Sequence, residues 1–308
     1  MTAVQASSPT VERVLALQRT AGNAAVGRLL RSVIEDIEVP SAVNHTRPGA
    51  PTQDDHALPH IRHAGHAFVR DRHEDASGAD PTDIRQGNIG DCFFLSPLMA
   101  TVRINPRSIA SKVRRIGESP TGGHVYEVKL YNPSGELVTH RVDDRFVTNV
   151  SGAPQYAQYG DKAADGGQEL WVMLMEKAWA AQRGGFNNLD FGQASDGLMA
   201  VSGKRGTWHQ ISTESASQIL TNIAQAYQDG KPVIPITPAP ITGPALAWST
   251  AAGIPLVQSH AYNVERANRT DDEIDVANPH GRNHLRGISS GTFRMIFDWY
   301  LVADEAVR

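Results

Sequence analysis

The N-terminal part of the chain carries a helical pattern of apolar residues. One face, spaced at i, i+3, i+4, i+7, i+8 and i+11, consists of Val26, Leu29, Leu30, Val33, Ile34 and Ile37. The pair Gly22-Asn23 predicts a break, so that residues 11–37 form two short amphipathic helices. Short helices need a packing partner to be stable. We therefore assign residues 1–40 to a helical segment that packs on the body or folds on a partner.

Residues 41–82 lose this periodicity, and prolines, aspartates and glycines become frequent. We interpret this stretch as a linker that becomes ordered near the body. Six of the twelve histidines lie within residues 45–73, and His60, His63 and His66 are three residues apart. This spacing raises the possibility of a zinc site, but it is a weak ligand signature and no cysteine accompanies it. A solvated loop is the favoured interpretation, and we predict no metal site.

The remainder of the chain combines helical and strand-like patterns. Helices are predicted at 92–116, with a break at Asn105-Pro106, at 168–183 and at 215–228. Strands are predicted at 124–131, 136–142, 233–237, 256–266, 273–277 and 293–301, the first two joined as a hairpin. The fold is therefore predicted to be α+β and bilobal. A mainly helical lobe spans residues 83–203, and a β-rich lobe spans 204–308.

Composition narrows the functional classes. The 308 residues carry 29 basic and 33 acidic side chains, a net charge of −4, which gives no basic patch for nucleic acid. No run approaches the roughly 18 consecutive apolar residues of a membrane span. The N-terminus lacks the basic start and apolar core of a secretory signal. We therefore expect a soluble protein that is cytoplasmic in the producing cell.

The single cysteine, Cys92, lies in the segment QGNIGDCFFL at residues 86–95. One cysteine excludes an internal disulfide framework. A glycine-rich turn delivers this thiol to the first turn of an apolar helix, where the helix dipole and unpaired N–H groups favour the thiolate. The thiol is thus placed where it could act as a nucleophile. A small buried core residue is the usual state of a free cysteine, and for Cys92 taken alone it is the favoured interpretation.

A thiol nucleophile needs an imidazole base, and the imidazole needs an orienting partner. The candidate bases are His124, His140, His209, His260, His280 and His284. His260 opens a strand-like segment, and Asn278 follows where Pro279 ends the next strand. Two neighbouring strands could hold His260 and Asn278 side by side. A surface histidine and a turn asparagine are the alternatives.

Four blocks of the chain resemble the calpain-type cysteine peptidases, which have a papain-like catalytic core. The resemblance covers roughly residues 80–302. The blocks are DIRQGNIGDCFFL at 83–95, VDDR at 142–145, ELWVMLMEKAWA at 169–180, and the pair HAY at 260–262 with NPHG at 278–281. The first block is a specific motif. It precedes the fourth block in the order of the family and at a compatible spacing, so a chance match is an inadequate explanation.

The resemblance implies a role for each matching residue. Cys92 would be the nucleophile, His260 the general base and Asn278 its orienting partner. Gln86 and the backbone N–H of Cys92 would donate to the oxyanion. The implied activity is hydrolysis of protein or peptide substrates through a thioester acyl-enzyme, without a cofactor. A catalytically silent calpain-like binding or structural component is an alternative, and so is acyl transfer to an amine.

The chain departs from the family pattern at several positions. Phe93 and His280 stand where the family usually has tryptophan, and Ser259 stands where it usually has glycine. Animal calpains also bind calcium in the core; one carboxylate of that site matches Asp83, but Asn187 replaces the matching glutamate. Because losing a bidentate carboxylate removes much calcium affinity, we predict calcium-independent activity.

The segment LQRTAGNAAV at residues 17–26 is similar to a short helical element of bacterial proteins associated with extracellular contractile injection systems. This resemblance implies that residues 11–37 bind an injection-system particle, and that the protein is an effector or toxin delivered outside the cell. An ordinary N-terminal helical hairpin is the alternative interpretation.

Overall fold

The computed structural model describes residues 59–70, 77–120 and 122–307. The described residues all belong to one compact unit, Asn44–Arg308. The predicted helices at 11–37 and the proposed particle-binding segment lie outside the described residues, as does much of the predicted linker.

The described part contains seven α-helices and thirteen strands. The helices are α1 (Cys92–Ile104), α2 (Pro106–Ala110), α3 (Trp171–Arg183), α4 (Ala194–Ser202), α5 (Ala216–Gln228), α6 (Gly243–Ala252) and α7 (Ser290–Ile296). The strands are β1 (His60–Arg62), β2 (Gly65–His66), β3 (Val113–Glu118), β4 (His124–Tyr131), β5 (Leu137–Asp143), β6 (Arg145–Val147), β7 (Gln168–Glu169), β8 (Gly206–Gln210), β9 (Val233–Ile236), β10 (Asn263–Asn268), β11 (Glu273–Ala277), β12 (Leu285–Ile288) and β13 (Trp299–Ala303). Among these helices, none has the length and apolar character needed to cross a bilayer.

The strands form small sheets. Three antiparallel sheets have the orders β3-β4-β5, β8-β13-β9 and β10-β11-β12. Two further pairs, antiparallel β1-β6 and parallel β2-β7, join residues 60–66 to the body. Residues at the end of the predicted linker are therefore paired strands, because their backbone groups find partners in β6 and β7.

Helix α1 is the central element of the N-terminal half. Every residue from Cys92 to Val102 is buried. Pro97 lacks an N–H, so the carbonyl of Phe93 one turn earlier has no helical donor. Gly197 of α4 lies against that carbonyl, since a Cβ at this glycine would be 2.0 Å from the Phe93 oxygen. The absence of a side chain at Gly197 thus allows α4 to pack closely on α1.

The apolar side chains form two large cores and a smaller cluster between them. The first core is drawn, except for Ala277, from residues 79–201, and the second from residues 211–300. The smaller cluster combines residues of both halves: Cys92, Ala194, Leu198, Ile234, Ala261, Leu301 and Ala303. The thiol therefore lies where the N-terminal and C-terminal halves of the fold meet.

A buried ion pair joins two of the sequence blocks noted above. The Nζ of Lys177, in α3, lies 2.6 Å from Oδ1 of Asp143 at the end of β5. It also donates to the backbone carbonyls of Asp143 and Arg145. A buried carboxylate is costly without such a partner. This pair therefore accounts for the burial of the Asp143 and Lys177 side chains.

Two predicted elements differ from the structure. Residues 113–116, predicted as helix, belong to strand β3, and residues 293–296, predicted as strand, belong to α7. Strand β3 forms because its backbone pairs with β4, with a shift in register between Arg115 and Gly117. Helix α7 forms because Ser289 caps it by accepting the Thr292 N–H, and Phe293, Ile296 and Phe297 follow at helical spacing.

The predicted contrast between a helical and a β-rich lobe is also too simple. Residues 83–203 contain the sheet β3-β4-β5 in addition to their helices. Residues 204–308 include α5, α6 and α7, of which α6 lacks any predicted counterpart. The predicted strand at 256–266 begins only at Asn263. Both halves therefore contain helices and antiparallel strands, which agrees with the predicted α+β class.

Candidate active site

The loop before Cys92 is fixed by contacts with two other loops. The N–H of Gly90 donates to Oδ1 of Asp190 at 2.9 Å, and the N–H of Phe191 donates to the Gly90 carbonyl at 3.1 Å. At Gly87 a Cβ would lie 1.8 Å from the carbonyl oxygen of Tyr156. Close backbone packing therefore shapes this loop and brings Cys92 to the N-terminus of α1.

His260 is held by its own backbone beside the end of β9. Its N–H donates to Oγ1 of Thr237 at 3.0 Å, and its carbonyl accepts the Thr237 N–H at 3.0 Å. The preceding residue, Ser259, has φ of 48°, in the left-handed region. The family glycine at this position is thus explained by backbone conformation, and Ser259 adopts it at an energetic cost.

Asn278 follows β11, which is paired with β10 next to His260. Its Oδ1 lies 3.0 Å from Nε2 of His260. Because a side-chain carbonyl only accepts hydrogen bonds, Nε2 must carry the proton, which leaves Nδ1 of His260 free to act as a base. The two side chains are 3% and 1% exposed, so this bond is protected from solvent.

Gln86 is tied to the asparagine loop and to its own loop. Its backbone N–H donates to the carbonyl of Pro279 at 2.8 Å, and its side-chain Nε2 donates to the carbonyl of Ile89 at 2.6 Å. An amide nitrogen has two hydrogens, so the second remains available to another acceptor.

The thiol of Cys92 contacts the residue after His260. The backbone N–H of Ala261 donates to Sγ at 3.5 Å. The carbonyl of the same residue accepts from Oγ of Ser96 at 2.7 Å. Cys92 and Ser96 are four residues apart and therefore on one face of α1. Sequence reasoning missed Ala261 and Ser96, although the i, i+4 spacing of a thiol and a hydroxyl was a usable signal for the latter.

Burial determines the protonation of the two central groups. Desolvation raises the pKa of Cys92 to about 12, with the N–H of Ala261 opposing the shift, and the thiol is only 8% exposed. Desolvation lowers the pKa of His260 to about 4, although the bond to Asn278 acts in the opposite direction. The expected lowering of the thiol pKa is therefore wrong for this arrangement, because loss of hydration outweighs the helix terminus. Near neutral pH the thiol and imidazole are both uncharged.

Asp91 immediately precedes α1, but its side chain makes no capping hydrogen bond to the helix. Its carboxyl is fully buried beside Glu176 of α3, and desolvation raises its pKa. Glu176 in turn accepts the backbone N–H of Ala157. The acidic residue next to the thiol thus faces the core instead of the helix terminus.

The remaining candidate histidines have other partners. Three are engaged outside the Cys92 environment: His124 with Glu118, His140 with Gln182 and His209 with Glu214. His280 and His284 instead lie next to Asn278. The Nδ1 of His280 lies 3.2 Å from Asn278 Oδ1, and the Asn278 N–H donates to Nδ1 of His284 at 3.1 Å.

The histidines at the end of the predicted linker are engaged separately. His63 contacts the hydroxyl of Tyr159 through Nδ1, and His66 Nε2 lies 2.7 Å from Oδ2 of Asp165. His60 belongs to β1. Within the ranges that the structure describes, no three His, Cys, Asp or Glu side chains are grouped so as to hold a metal ion.

Asp83 and Asn187, the two residues that the resemblance matches to the calcium site of animal calpains, lie in different surroundings. Oδ2 of Asp83 already accepts from Trp171 Nε1 at 3.0 Å and from the Asp80 N–H at 2.8 Å. The same carboxyl is buried against Glu169, and desolvation raises the pKa of both groups. Asn187 is exposed on the 3₁₀ turn Phe186–Leu189.

Curated proteins with similar sequences are named as calpains or calpain-type proteases. Calpain-13 of Rattus norvegicus is 29% identical over 218 residues, covering 68% of this chain and 30% of the relative. The calpain-2 catalytic subunit of Gallus gallus is 28% identical over 224 residues, covering 69% and 30%. Calpain-type cysteine protease DEK1 of Arabidopsis thaliana is 26% identical over 215 residues, covering 65% and 9%. This chain therefore spans less than a third of the length of these relatives.

Residues 63–305 match the family described as calpain family cysteine protease. The match includes Gln86, Cys92, His260 and Asn278, and it extends over both hydrophobic cores. The chain belongs to the calpain family of cysteine proteases.

Proposed function

We propose that the chain is a cysteine endopeptidase in which Cys92 attacks peptide bonds and His260 transfers the proton. The observation that carries the proposal is the pair of bonds around His260. Nε2 of His260 is hydrogen-bonded to Oδ1 of Asn278, and the N–H of the adjacent Ala261 donates to Sγ of Cys92. The free Nδ1 is thus the nitrogen available to the nucleophile.

In the proposed reaction the proton of Cys92 Sγ moves to Nδ1 of His260 as Sγ attacks the substrate carbonyl carbon. The resulting oxyanion accepts hydrogen bonds from Gln86 Nε2 and from the backbone N–H of Cys92. The C–N bond then breaks, His260 returns the proton to the leaving amine, and a thioester remains. Water, deprotonated by His260, attacks the thioester, releases the acid and restores the thiol.

A neutral Cys92 thiol and a neutral His260 imidazole are compatible with this order of reaction steps. Transfer of the proton charges both groups at the same time. The oxyanion is the charge that needs new stabilisation. Loss of one oxyanion donor typically lowers kcat by about 10²–10³-fold. Gln86→Ala should therefore reduce turnover by that order, whereas Gln225→Ala, whose exposed side chain donates to Asp229 within its own helix end, should leave it unchanged.

The test is labelling with a thiol-directed epoxide peptide, together with casein cleavage. Labelling at Cys92 and cleavage that is lost in Cys92→Ala would support the proposal. A folded protein with an unlabelled thiol would favour a silent calpain-like component. Incorporation of an added amine without hydrolysis would favour acyl transfer.

We also propose that the activity is independent of calcium. The proposal is supported by the engaged and buried carboxyl of Asp83 and by the exposed amide at Asn187. Casein cleavage should be equal in excess chelator and in millimolar calcium. Cleavage that begins only on calcium addition would contradict it.

We further propose that the protein is an effector carried by a bacterial contractile injection system, with residues 11–37 as the docking segment. The support is the similarity of residues 17–26 to the corresponding element of such proteins. Residues 1–40 fused to a reporter should then associate with purified particles, and a fusion with Leu29 and Leu30 replaced by aspartate should not. Equal recovery of both fusions would contradict the proposal.

A further inference from the structure

Asn278 receives more hydrogen bonds from His280 than from His260. Its Oδ1 lies 3.0 Å from the backbone N–H of His280, 3.2 Å from Nδ1 of the His280 ring and 3.0 Å from Nε2 of His260. The side-chain oxygen of Asn278 is thus hydrogen-bonded to two imidazole rings.

The chemistry of the oxygen fixes both rings. A carbonyl oxygen has no hydrogen to give, so each ring nitrogen that bonds to it carries a proton. His260 is therefore the Nε2–H tautomer and His280 the Nδ1–H tautomer. Three donors share this one oxygen, so rotating the Asn278 amide away from His260 would also break its bonds to His280.

The His280 ring also packs on the ring of His260. Their centroids are 4.8 Å apart and their planes are inclined by 33°. The Tyr262 ring also contacts the His260 ring, nearly perpendicular to it, with centroids 4.9 Å apart. His260 thus contacts two rings, and one of them belongs to His280, which also donates to Asn278.

We propose that His280 is a positioning residue of the active site. Its Nδ1–H keeps the Asn278 carbonyl directed at His260, and its ring restricts the tilt of the His260 imidazole. The role is carried by hydrogen bonding and packing together. This inference rests on the proposed function of His260 as the base.

Three variants separate the two contributions. His280→Ala removes both, His280→Phe keeps a ring without the donor, and His280→Asn keeps a donor at the δ position without the ring. None of them removes the backbone N–H of residue 280. We expect kcat to fall about 30–100-fold in the alanine variant and about 3–10-fold in each of the others, in line with the loss of one or two modest interactions. KM should change less than twofold, because His280 acts through Asn278.

A second readout does not depend on activity. In ¹⁵N-labelled protein the Nε2–H of His260 should give a slowly exchanging proton signal, since it is buried and bonded. We expect this signal to persist in His280→Asn and to broaden or shift in His280→Ala, with melting temperatures recorded for every variant. If the alanine variant does not fold, the phenylalanine and asparagine variants decide.

The outcomes distinguish this inference from the proposed function. If wild-type protein cleaves nothing, the proposed function fails, and the His260 signal still reports whether His280 positions the pair. Unchanged kcat and an unchanged His260 signal in a folded His280→Ala or His280→Phe variant would overturn the inference. A KM rise at constant kcat would also overturn it, by assigning His280 to substrate binding.

Discussion

The backbone N–H of Gln86 donates to the carbonyl of Pro279 at 2.8 Å. This bond joins the loop that precedes Cys92 to the loop that follows Asn278. It uses only main-chain atoms, so side-chain substitutions at the two residues do not remove it directly. The loops that carry Gln86 and Asn278 are thereby held together.

The neighbouring Gly87 makes this assembly sensitive to a single methyl group. In Gly87→Ala the new Cβ would lie 1.8 Å from the Tyr156 oxygen and 2.5 Å from its carbonyl carbon, so a loop must move. We expect a loss of about 2 kcal/mol or more in the free energy of unfolding, from overpacking against backbone. Peptide cleavage should also fall. Urea denaturation and casein cleavage measure the two effects.

The matched control for Gly87 is Gly117→Ala in β3, where a new Cβ would meet no atom within 4 Å. That variant should unfold at a urea concentration close to the wild-type value. Equal stability of the two alanine variants would contradict the assignment of Gly87 to a close backbone approach.

The Ser96 hydroxyl should contribute to both stability and turnover. Ser96→Ala leaves the buried carbonyl of Ala261 without its donor, which typically costs about 1–2 kcal/mol. Because the N–H of Ala261 donates to Sγ of Cys92, we expect kcat to fall several-fold as well. Ser111→Ala removes an exposed bond within its own turn and should alter neither quantity. A wild-type kcat in Ser96→Ala would show that the Ala261 peptide does not need this bond.

Ser259 adopts a conformation that glycine favours. Its φ of 48° is costly for a residue with a Cβ, and its side chain is exposed. Glycine would relieve roughly 1–2 kcal/mol of strain and lose roughly 0.5–1 kcal/mol of backbone entropy, so we expect Ser259→Gly to stabilise the fold by about 0.5–1 kcal/mol. Ser259→Val should destabilise it, because β-branched residues resist positive φ. Thermal unfolding of both variants provides the check, and the opposite order would refute the strain.

The pH dependence of thiol alkylation should show that Cys92 and His260 are both uncharged near neutral pH. The thiol pKa is raised to about 12 and the imidazole pKa is lowered to about 4, both by burial. Between these values raising the pH increases the small thiolate fraction without any compensating loss of imidazolium. The rate with iodoacetamide should therefore climb continuously from pH 5 to pH 10.

A preformed thiolate–imidazolium pair would instead produce a plateau across pH 5–8, which would contradict the neutral assignment. His260→Ala is the control. It should change the alkylation rate at pH 7 only slightly if the two groups are uncharged, and lower it strongly if an ion pair exists.

The structure departs from the sequence-based expectations mainly where distant contacts decide local conformation. The periodic apolar faces of α3 and α5 and the alternation in β4 and β11 were sufficient to predict these elements, with ends shifted by a few residues. Residues 113–116 were predicted as helix because their pairing with β4 is not visible in a local window. Helix α7 was missed although the Ser289 cap and the spacing of Phe293 and Phe297 were present in the sequence.

For the candidate site, the sequence by itself selected Gln86, Cys92, His260 and Asn278, because residue type, order and the surrounding motif are one-dimensional properties. It also located Ser259 and His280 as departures from the family pattern. Only the tertiary structure decided that the N–H of Ala261 donates to the thiol and that His280 and His260 both bond to Asn278. It also decided that the thiol and the imidazole are neutral. Those features depend on which strands meet and on how completely water is excluded where the two cores join, and both are set by contacts between residues far apart in the chain.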